Sequence, residues 1–391
     1  MKRCAVAVVG AGFIGPVHVE GLRRTGMHVV GILGSSHAKS TAAAEHLGLE
    51  RAYADLDEVL QDRQVESVHI TTPNRCHFEQ VSRVLAAGKH VLCEKPLAMN
   101  ARETAELVRL AERSGRVAGV AYNIRFYPLC HEAAARIRAG ELGRVFHIAG
   151  SYVQDWLLKE TDFNWRVQAE EGGELRAVAD IGTHWLDLVQ YIVGDKISAV
   201  CADLLTVHPI RQVATGSVET FSNKTAAESP RAETHPVPIR TDDYGCVLLR
   251  FAGGARGGVW VSQVTAGRKN CLRFEIAGQD QALAWDSERP NELWIGRRDS
   301  ANETLLRDPA LLSPPARGIA SYPGGHNEGF PDTFKQLFRT FYGYILAGDF
   351  SAPPPFPTFA DGHREVVLCD AVAQSHREQR WVELQELESC N

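Results

Sequence analysis

Asp180 and His184 stand four residues apart in VADIGTHWLDLVQYIVG (178–194), a spacing that places both on one face of a helix. An aspartate beside a histidine orients the imidazole and raises its basicity, giving an acid/base group that titrates near neutral pH. A second pair, Glu94 and Lys95, is followed at once by Pro96. Proline disfavours helix at the preceding residue and holds Lys95 extended. Burial lowers a lysine's basicity toward the range in which it serves as a base. Each pair also has a plain structural reading: a helix N-cap at Asp180 with His184 packed beside it, and a surface ion pair at 94–95.

The elements that would position these groups come first in the chain. Cys4–Val9 is an apolar run that breaks into Gly10, Gly12 and Gly15. Strands at 4–9, 28–33, 67–71, 90–93 and 116–121 alternate with helices at 14–25, 37–47, 75–87 and 101–114. That alternation predicts a doubly wound parallel sheet, whose central strands are apolar on both faces. The glycines then form G-x-G-x-x-G at a strand-to-helix turn. The first permits the tight turn, the second lets a pyrophosphate approach the backbone, and the third allows close helix–strand packing. With Phe13 and Ile14 inside the turn, the context predicts a dinucleotide site opening on a helix N-terminus, where the alternative reading is a plain glycine-rich turn.

Where the second strand ends, an acidic residue for the adenosine ribose is expected. The chain instead reads GILGSSHAKS. Ser35, Ser36 and Lys39 would not repel a 2′-phosphate, which favours NADP over NAD within an NAD(P) site. Carboxyl ends of the strands line the cofactor cleft in such sheets. TTPNRCH, with Thr71, Thr72, Pro73, Asn74 and His77, and CEKP, with Glu94 and Lys95, are therefore expected along it.

The order and spacing of GAGFIG, TTPNRCH, CEKP, YNIRF and DIGTH resemble the Gfo/Idh/MocA oxidoreductase family over nearly the whole chain. The resemblance implies a Rossmann domain, here residues 1–123, and a second α+β domain, 124–391, with a large, mostly antiparallel open sheet that binds substrate and mediates oligomerisation. It implies catalytic roles for Lys95, Asp180 and His184, and places Asn123 near the nicotinamide and substrate. Trp165 and Arg166 match a pair that covers the cofactor. The implied activity is NAD(P)-dependent hydride transfer at a secondary alcohol or carbonyl of a sugar, cyclitol or sugar derivative. Two other activities use the same residues: cleavage of a glycoside by transient oxidation at C3, and a non-catalytic NAD(P)-binding sensor.

From residue 142 onward, apolar runs joined by glycine-rich turns predict an antiparallel meander. The stretch 208–243 is polar, contains prolines and lacks periodicity, so it reads as a long surface loop. Arg125, Trp156 and His326 are candidate substrate contacts, Trp156 because a ring stacks on sugar C–H groups. His326 and Glu328 lie in PGGHNEGF, expected to be a flexible loop before a helix at 332–346.

The 391 residues carry 48 acids against 42 Lys plus Arg, a net charge of −6. That balance argues against nucleic acid or an anionic membrane as partner. Nine cysteines without CxxC spacing suggest neither a disulfide frame nor a metal site, and a cytoplasmic location. The open sheet face predicts a homodimer or homotetramer.

Overall fold

The computed structural model describes residues 3–214 and 233–385. These divide into two units: residues 1–123 with 330–366, and residues 124–329 with 367–391. The sequence reading assigns everything after residue 123 to the second domain. The structure returns 330–366 to the first.

The first unit begins with β1 (Ala5–Val9), α1 (Ile14–Arg24), β2 (His28–Leu33), α2 (His37–Leu47), β3 (Arg51–Tyr53) and α3 (Leu56–Gln61). It continues through β4 (Ser67–Ile70), α4 (His77–Ala86), β5 (His90–Cys93), α5 (Ala101–Ser114) and β6 (Ala118–Val120). The strands form one parallel sheet in the order β3-β2-β1-β4-β5-β6. Val6, Val8, Ile32, Val68, Ile70, Val91 and Leu92 are fully buried. This is why the strands read as unbroken apolar runs rather than alternating ones. The chain order reverses between β1 and β4, the switch point where such sheets bind ligands. β3 escapes the sequence reading because three residues at a sheet edge carry too little pattern, and α3 because six residues are under two helical turns.

The second unit holds α6 (Pro128–Arg138), β7 (Val145–Val153), α7 (Ala169–Gly172), α8 (Thr183–Val193), β8 (Ile197–Leu205), β9 (Ile210–Ala214) and β10 (Thr234–Pro238). Then come β11 (Tyr244–Phe251), β12 (Arg256–Ser262), β13 (Cys271–Gly278), β14 (Ala282–Asp286), β15 (Glu292–Gly296), β16 (Glu303–Leu306) and α9 (Pro314–Ile319). A nine-stranded sheet runs β16-β15-β14-β13-β7-β12-β11-β8-β17, where β17 is Val382–Glu383. It is antiparallel throughout except for the β12–β7 pair. The inner face packs on α8. A Cβ at Gly150 would collide with the indole of Trp185, whose Nε1 donates to the Arg273 carbonyl at 2.8 Å. On the opposite face Leu248, Trp260, Trp294 and Leu306 are exposed.

The expected loop at 208–243 is corrected in part. β9 and β10 pair antiparallel, with Pro236 opposite Gln212. A two-stranded ribbon has a free edge for every strand, where proline costs no ladder bond. Residues 215–232 lie outside the described residues. Helix α10 (Phe330–Ala347) belongs to the first unit, and α11 (Phe359–Glu378) begins in the first and ends in the second.

Candidate active site

In the first unit the glycine turn is braced by Thr71, the residue that follows β4. Its hydroxyl donates to the carbonyls of Val9 (3.0 Å) and Gly10 (2.9 Å). Gly10 has φ +118°, and a Cβ there would lie 2.5 Å from the Thr71 carbonyl oxygen. A Cβ at Gly15 would collide with the Gly10 carbonyl, so two of the three glycines are demanded by packing alone. Gly12 differs: nothing lies within 4 Å of its would-be Cβ. That bare stretch of backbone, beside a helix whose first turn has neither a side-chain cap nor an acidic residue, suits a pyrophosphate. Phe13 is 53% exposed, and Ile14 half-buried, beside it. The residues present fit a dinucleotide.

After β2, Ser36 caps α2 by accepting from the Lys39 amide at 3.3 Å, and Ser35 and Lys39 are exposed. After β4, Thr72 bonds Gln80 at 2.6 Å, and buried Asn74 follows Pro73 in a short 3-10 turn. His77 is fully buried. Its Nδ1 lies 2.9 Å from the Pro96 carbonyl and its Nε2 2.8 Å from that of Thr72. It clips the ends of β4 and β5 together, and burial pulls its basicity below the ordinary imidazole value. Glu94 accepts from the Lys95 amide at 3.2 Å and faces His18 at 3.1 Å. Lys95 follows, half-buried, at the end of the adjacent strand. Asn123 is held by Thr333 at 2.7 Å.

The second unit has its own polar cluster. Val178–Gly182 is a π-helical turn leading into α8, a widening that recurs at functional sites. It presents Asp180, whose carboxylate accepts from Gln263 at 2.8 Å and meets Arg166 Nε at 3.4 Å. The Arg166 guanidinium lies 4.4 Å from the ring centroid of Trp165. His184 is 8% exposed, with its ring 6.3 Å from that of Tyr152. Burial, then the neighbouring Asp180, push the Tyr152 phenol up, which keeps it a neutral donor to Asn270 at 2.7 Å. Gln263 takes its orientation from Arg176, which donates to its carbonyl at 3.3 Å. Arg176 and Arg211 share the buried carboxylate of Asp243, Arg211 at 2.7 Å. Asp180 is thus fixed by a buried chain that no local motif announces.

Three expected substrate contacts, Arg125, Trp156 and His326, have partners of their own. Both arms of Arg125 are taken by Asp187, Nε at 2.7 Å, and its guanidinium lies 5.1 Å from the centroid of the Tyr191 ring. Trp156 donates to Gln154 at 2.9 Å and packs against the cluster of Leu157, Val167 and Ile239. His326 is exposed, but its loop is latched rather than loose. Glu328 is buried, pairs with Arg307 at 3.0 Å and accepts from the Ser321 amide. Arg307 also holds the carbonyls of Tyr322 and Pro323 at 2.6 and 3.0 Å. Glu328 therefore closes the loop.

Among the described residues one group has metal-ligand proximity: Cys271, Asp286 and Glu288. Arg273 binds Asp286 at 2.8 Å and Arg268 pairs with Glu288. Burial, then Asp286, push the Cys271 thiol up to about 12. A protonated thiol with neutralised carboxylates does not suit a divalent cation.

Residues 4–122 match the family described as "Oxidoreductase family, NAD-binding Rossmann fold", and residues 130–284 the GFO/IDH/MocA C-terminal domain. The chain belongs to the Gfo/Idh/MocA oxidoreductase family. A levoglucosan dehydrogenase of Pseudarthrobacter phenanthrenivorans is 29% identical over 99% of this chain and 100% of its own. A solved levoglucosan dehydrogenase in complex with NADH and levoglucosan superposes with a TM-score of 0.86 at 27% identity, covering 98% of this chain and 100% of that one. The myo-inositol 2-dehydrogenase of Thermotoga maritima is 24% identical over 98% of this chain and 99% of its own. Membership makes the chain an NAD(P)-binding oxidoreductase. No helix among the described residues is long and apolar enough to cross a membrane.

Proposed function

We infer that this oxidoreductase moves hydride between NAD(P) and a secondary alcohol or carbonyl of a sugar, cyclitol or sugar derivative. The observation that carries the reading is the convergence of the open Gly12 backbone and Lys95 at the carboxyl ends of neighbouring strands β1, β4 and β5. Dinucleotide held at the glycine turn supplies the hydride donor or acceptor. The chain's own residues handle the proton and the charge on oxygen. Lys95, as the ammonium, stabilises developing negative charge at the substrate oxygen. Lys95 or His184 accepts the hydroxyl proton in oxidation and returns it in reduction, and Lys95 remains the ammonium where His184 does so. Asp180, oriented by Gln263 and Arg166, stands one helical turn before His184, where its carboxylate supports positive charge developing on that ring as it takes the proton.

No acidic side chain follows β2, where exposed Ser35 and Lys39 stand instead, which supports NADP as the preferred dinucleotide. Incubation with a panel of sugars and cyclitols and either dinucleotide tests both points. The expected result is net nicotinamide reduction with at least one of them, with kcat/KM higher for NADP. A higher value for NAD overturns the preference; bound dinucleotide with no turnover favours a sensor.

The outer face of the nine-stranded sheet leaves Leu248, Trp260, Trp294 and Leu306 exposed. Large aromatic and aliphatic groups on one face are unfavourable in water, and a second copy of the chain is the occupant that a symmetric oligomer supplies. Light scattering at micromolar concentration is expected to report a dimer or tetramer, and a monomer would contradict it.

A further inference from the structure

Polar groups that the proton chemistry above leaves unused form one buried chain through the first unit. Glu94 Oε1 lies 3.1 Å from His18 Nε2, and His18 Nδ1 lies 2.9 Å from His69 Nδ1. His69 Nε2 is 2.8 Å from the Tyr342 hydroxyl, which is 3.0 Å from Ser67 Oγ. His18, His69 and Ser67 are fully buried, Tyr342 is 1% exposed and Glu94 7%. Phe338 of α10 packs its ring 4.9 Å from His18 and 4.8 Å from His69, sealing the pair from water.

Two imidazole nitrogens of the same kind form a hydrogen bond only when one carries a proton and the other a lone pair. The tautomers of His18 and His69 are therefore coupled. In one pattern His69 Nδ1 carries the proton. Its Nε2 then accepts from Tyr342, Tyr342 accepts from Ser67, and His18 Nε2–H donates to an ionised Glu94. In the other pattern His18 Nδ1 carries the proton. His69 then donates to Tyr342, Tyr342 donates to Ser67, and the His18–Glu94 contact must hold one more proton. The two patterns differ by that single proton.

We propose that Glu94, His18, His69 and Tyr342 titrate as one unit, taking up one proton at the Glu94–His18 end with reversal of every hydrogen bond as far as Ser67. His18 is then a positioning residue that governs the charge on Glu94, which accepts from the Lys95 amide; the consequence for turnover rests on the role assigned to Lys95 above. The proton enters at the slightly exposed edge of Glu94, and no other group need change charge. Burial, then His18, hold His69 well below the ordinary imidazole range, so it remains a neutral ring with one donor and one acceptor. The other titratable groups facing this chain are Cys93, Lys95 and His77 around Glu94, and Cys4 and Glu66 around Tyr342.

The test uses the full chain labelled with 15N-histidine, without ligand, titrated by imidazole NMR with resonances assigned through His18→Gln. Tyr342→Phe removes the partner of His69 Nε2 in both patterns but strands a buried N–H donor only in the proton-rich one, which it therefore disfavours. The common midpoint of the two rings is expected to fall by about one pH unit, the worth of one buried hydrogen bond. Ser67→Ala deletes the far acceptor of the proton-rich pattern and leaves Tyr342 able to donate to His69, so the midpoint is expected to stay or fall. A merely structural hydroxyl pair would leave the midpoint unmoved in both variants. Independent midpoints for the two rings in the unsubstituted protein, or an unmoved or raised midpoint in Tyr342→Phe, would overturn the proposal. The first criterion needs no variant to fold. The acid limb of the kcat/KM profile should follow the NMR midpoint in Tyr342→Phe. If the midpoint moves and the limb does not, the unit stands and the role of Lys95 fails.

Discussion

Replacing Lys95 with methionine is expected to lower kcat/KM by about 10²- to 10⁴-fold, the range for losing a general acid–base group. Methionine keeps most of the side chain's length and removes only the ammonium and its proton. Dinucleotide affinity, read by fluorescence titration, should persist, because the contacts that shape the turn come from Gly10, Gly15 and Thr71. Loss of turnover without loss of binding separates a chemical role from a structural one. His184→Asn belongs in the same experiment. Whichever variant abolishes the neutral-pH limb of the rate profile identifies the main proton acceptor, and the other retains it. A Lys95→Met enzyme within about tenfold of the parent, or about 1.4 kcal/mol in barrier, would remove Lys95 from the chemistry.

The second large effect concerns stability. Asp243 is fully buried between Arg176 and Arg211, which are fully buried themselves. Its carboxylate also accepts from the amides of Val207 and His208, at 2.7 and 3.0 Å. Asp243→Ala strands two guanidinium groups without a counter-charge, and losing one partner of a buried ion pair costs about 3–5 kcal/mol. Denaturant unfolding should show a loss of that size in the second unit. Activity should fall as well, since Arg176 orients Gln263 and Gln263 orients Asp180. Burial opposes ionisation of Asp243, but Arg176, the His208 amide and Arg211 outweigh it and hold the carboxyl below its usual range. A depressed carboxyl contributes stability above the unfolded value, near 3.9, and loses it as pH falls through the lower folded value. The parent protein should therefore shed this contribution only in strong acid, and the variant should lack it at every pH. A cost under about 1 kcal/mol would mean that the arginines find other partners.

What the sequence reveals of this site follows the range over which each signal acts. The glycine turn, TTPNRCH and CEKP are read from strand ends, because a buried parallel strand is a continuous apolar run with a sharp end. The helix bearing Asp180 and His184 is read from its apolar period, while the π turn that displays Asp180 is not, since a single inserted residue leaves the apolar stripe recognisable. Partners supplied from far along the chain are invisible to any local pattern. Tyr342 reaches His69 across 273 positions, Thr333 reaches Asn123 across 210, and Gln263 reaches Asp180 across 83. Glu328 and Arg125 show the converse. A charged residue in a glycine-rich loop or after a strand looks available in sequence, and only packing reveals that Arg307 and Asp187 have already engaged it.

Hydride transfer itself is the most direct object of measurement. A polyol or sugar substrate deuterated at the carbinol carbon, incubated with oxidised dinucleotide and analysed by mass spectrometry, is predicted to yield one deuterated reduced nicotinamide per ketone formed. Product that appears without net reduction of the dinucleotide, or with no deuterium on it, would contradict the account.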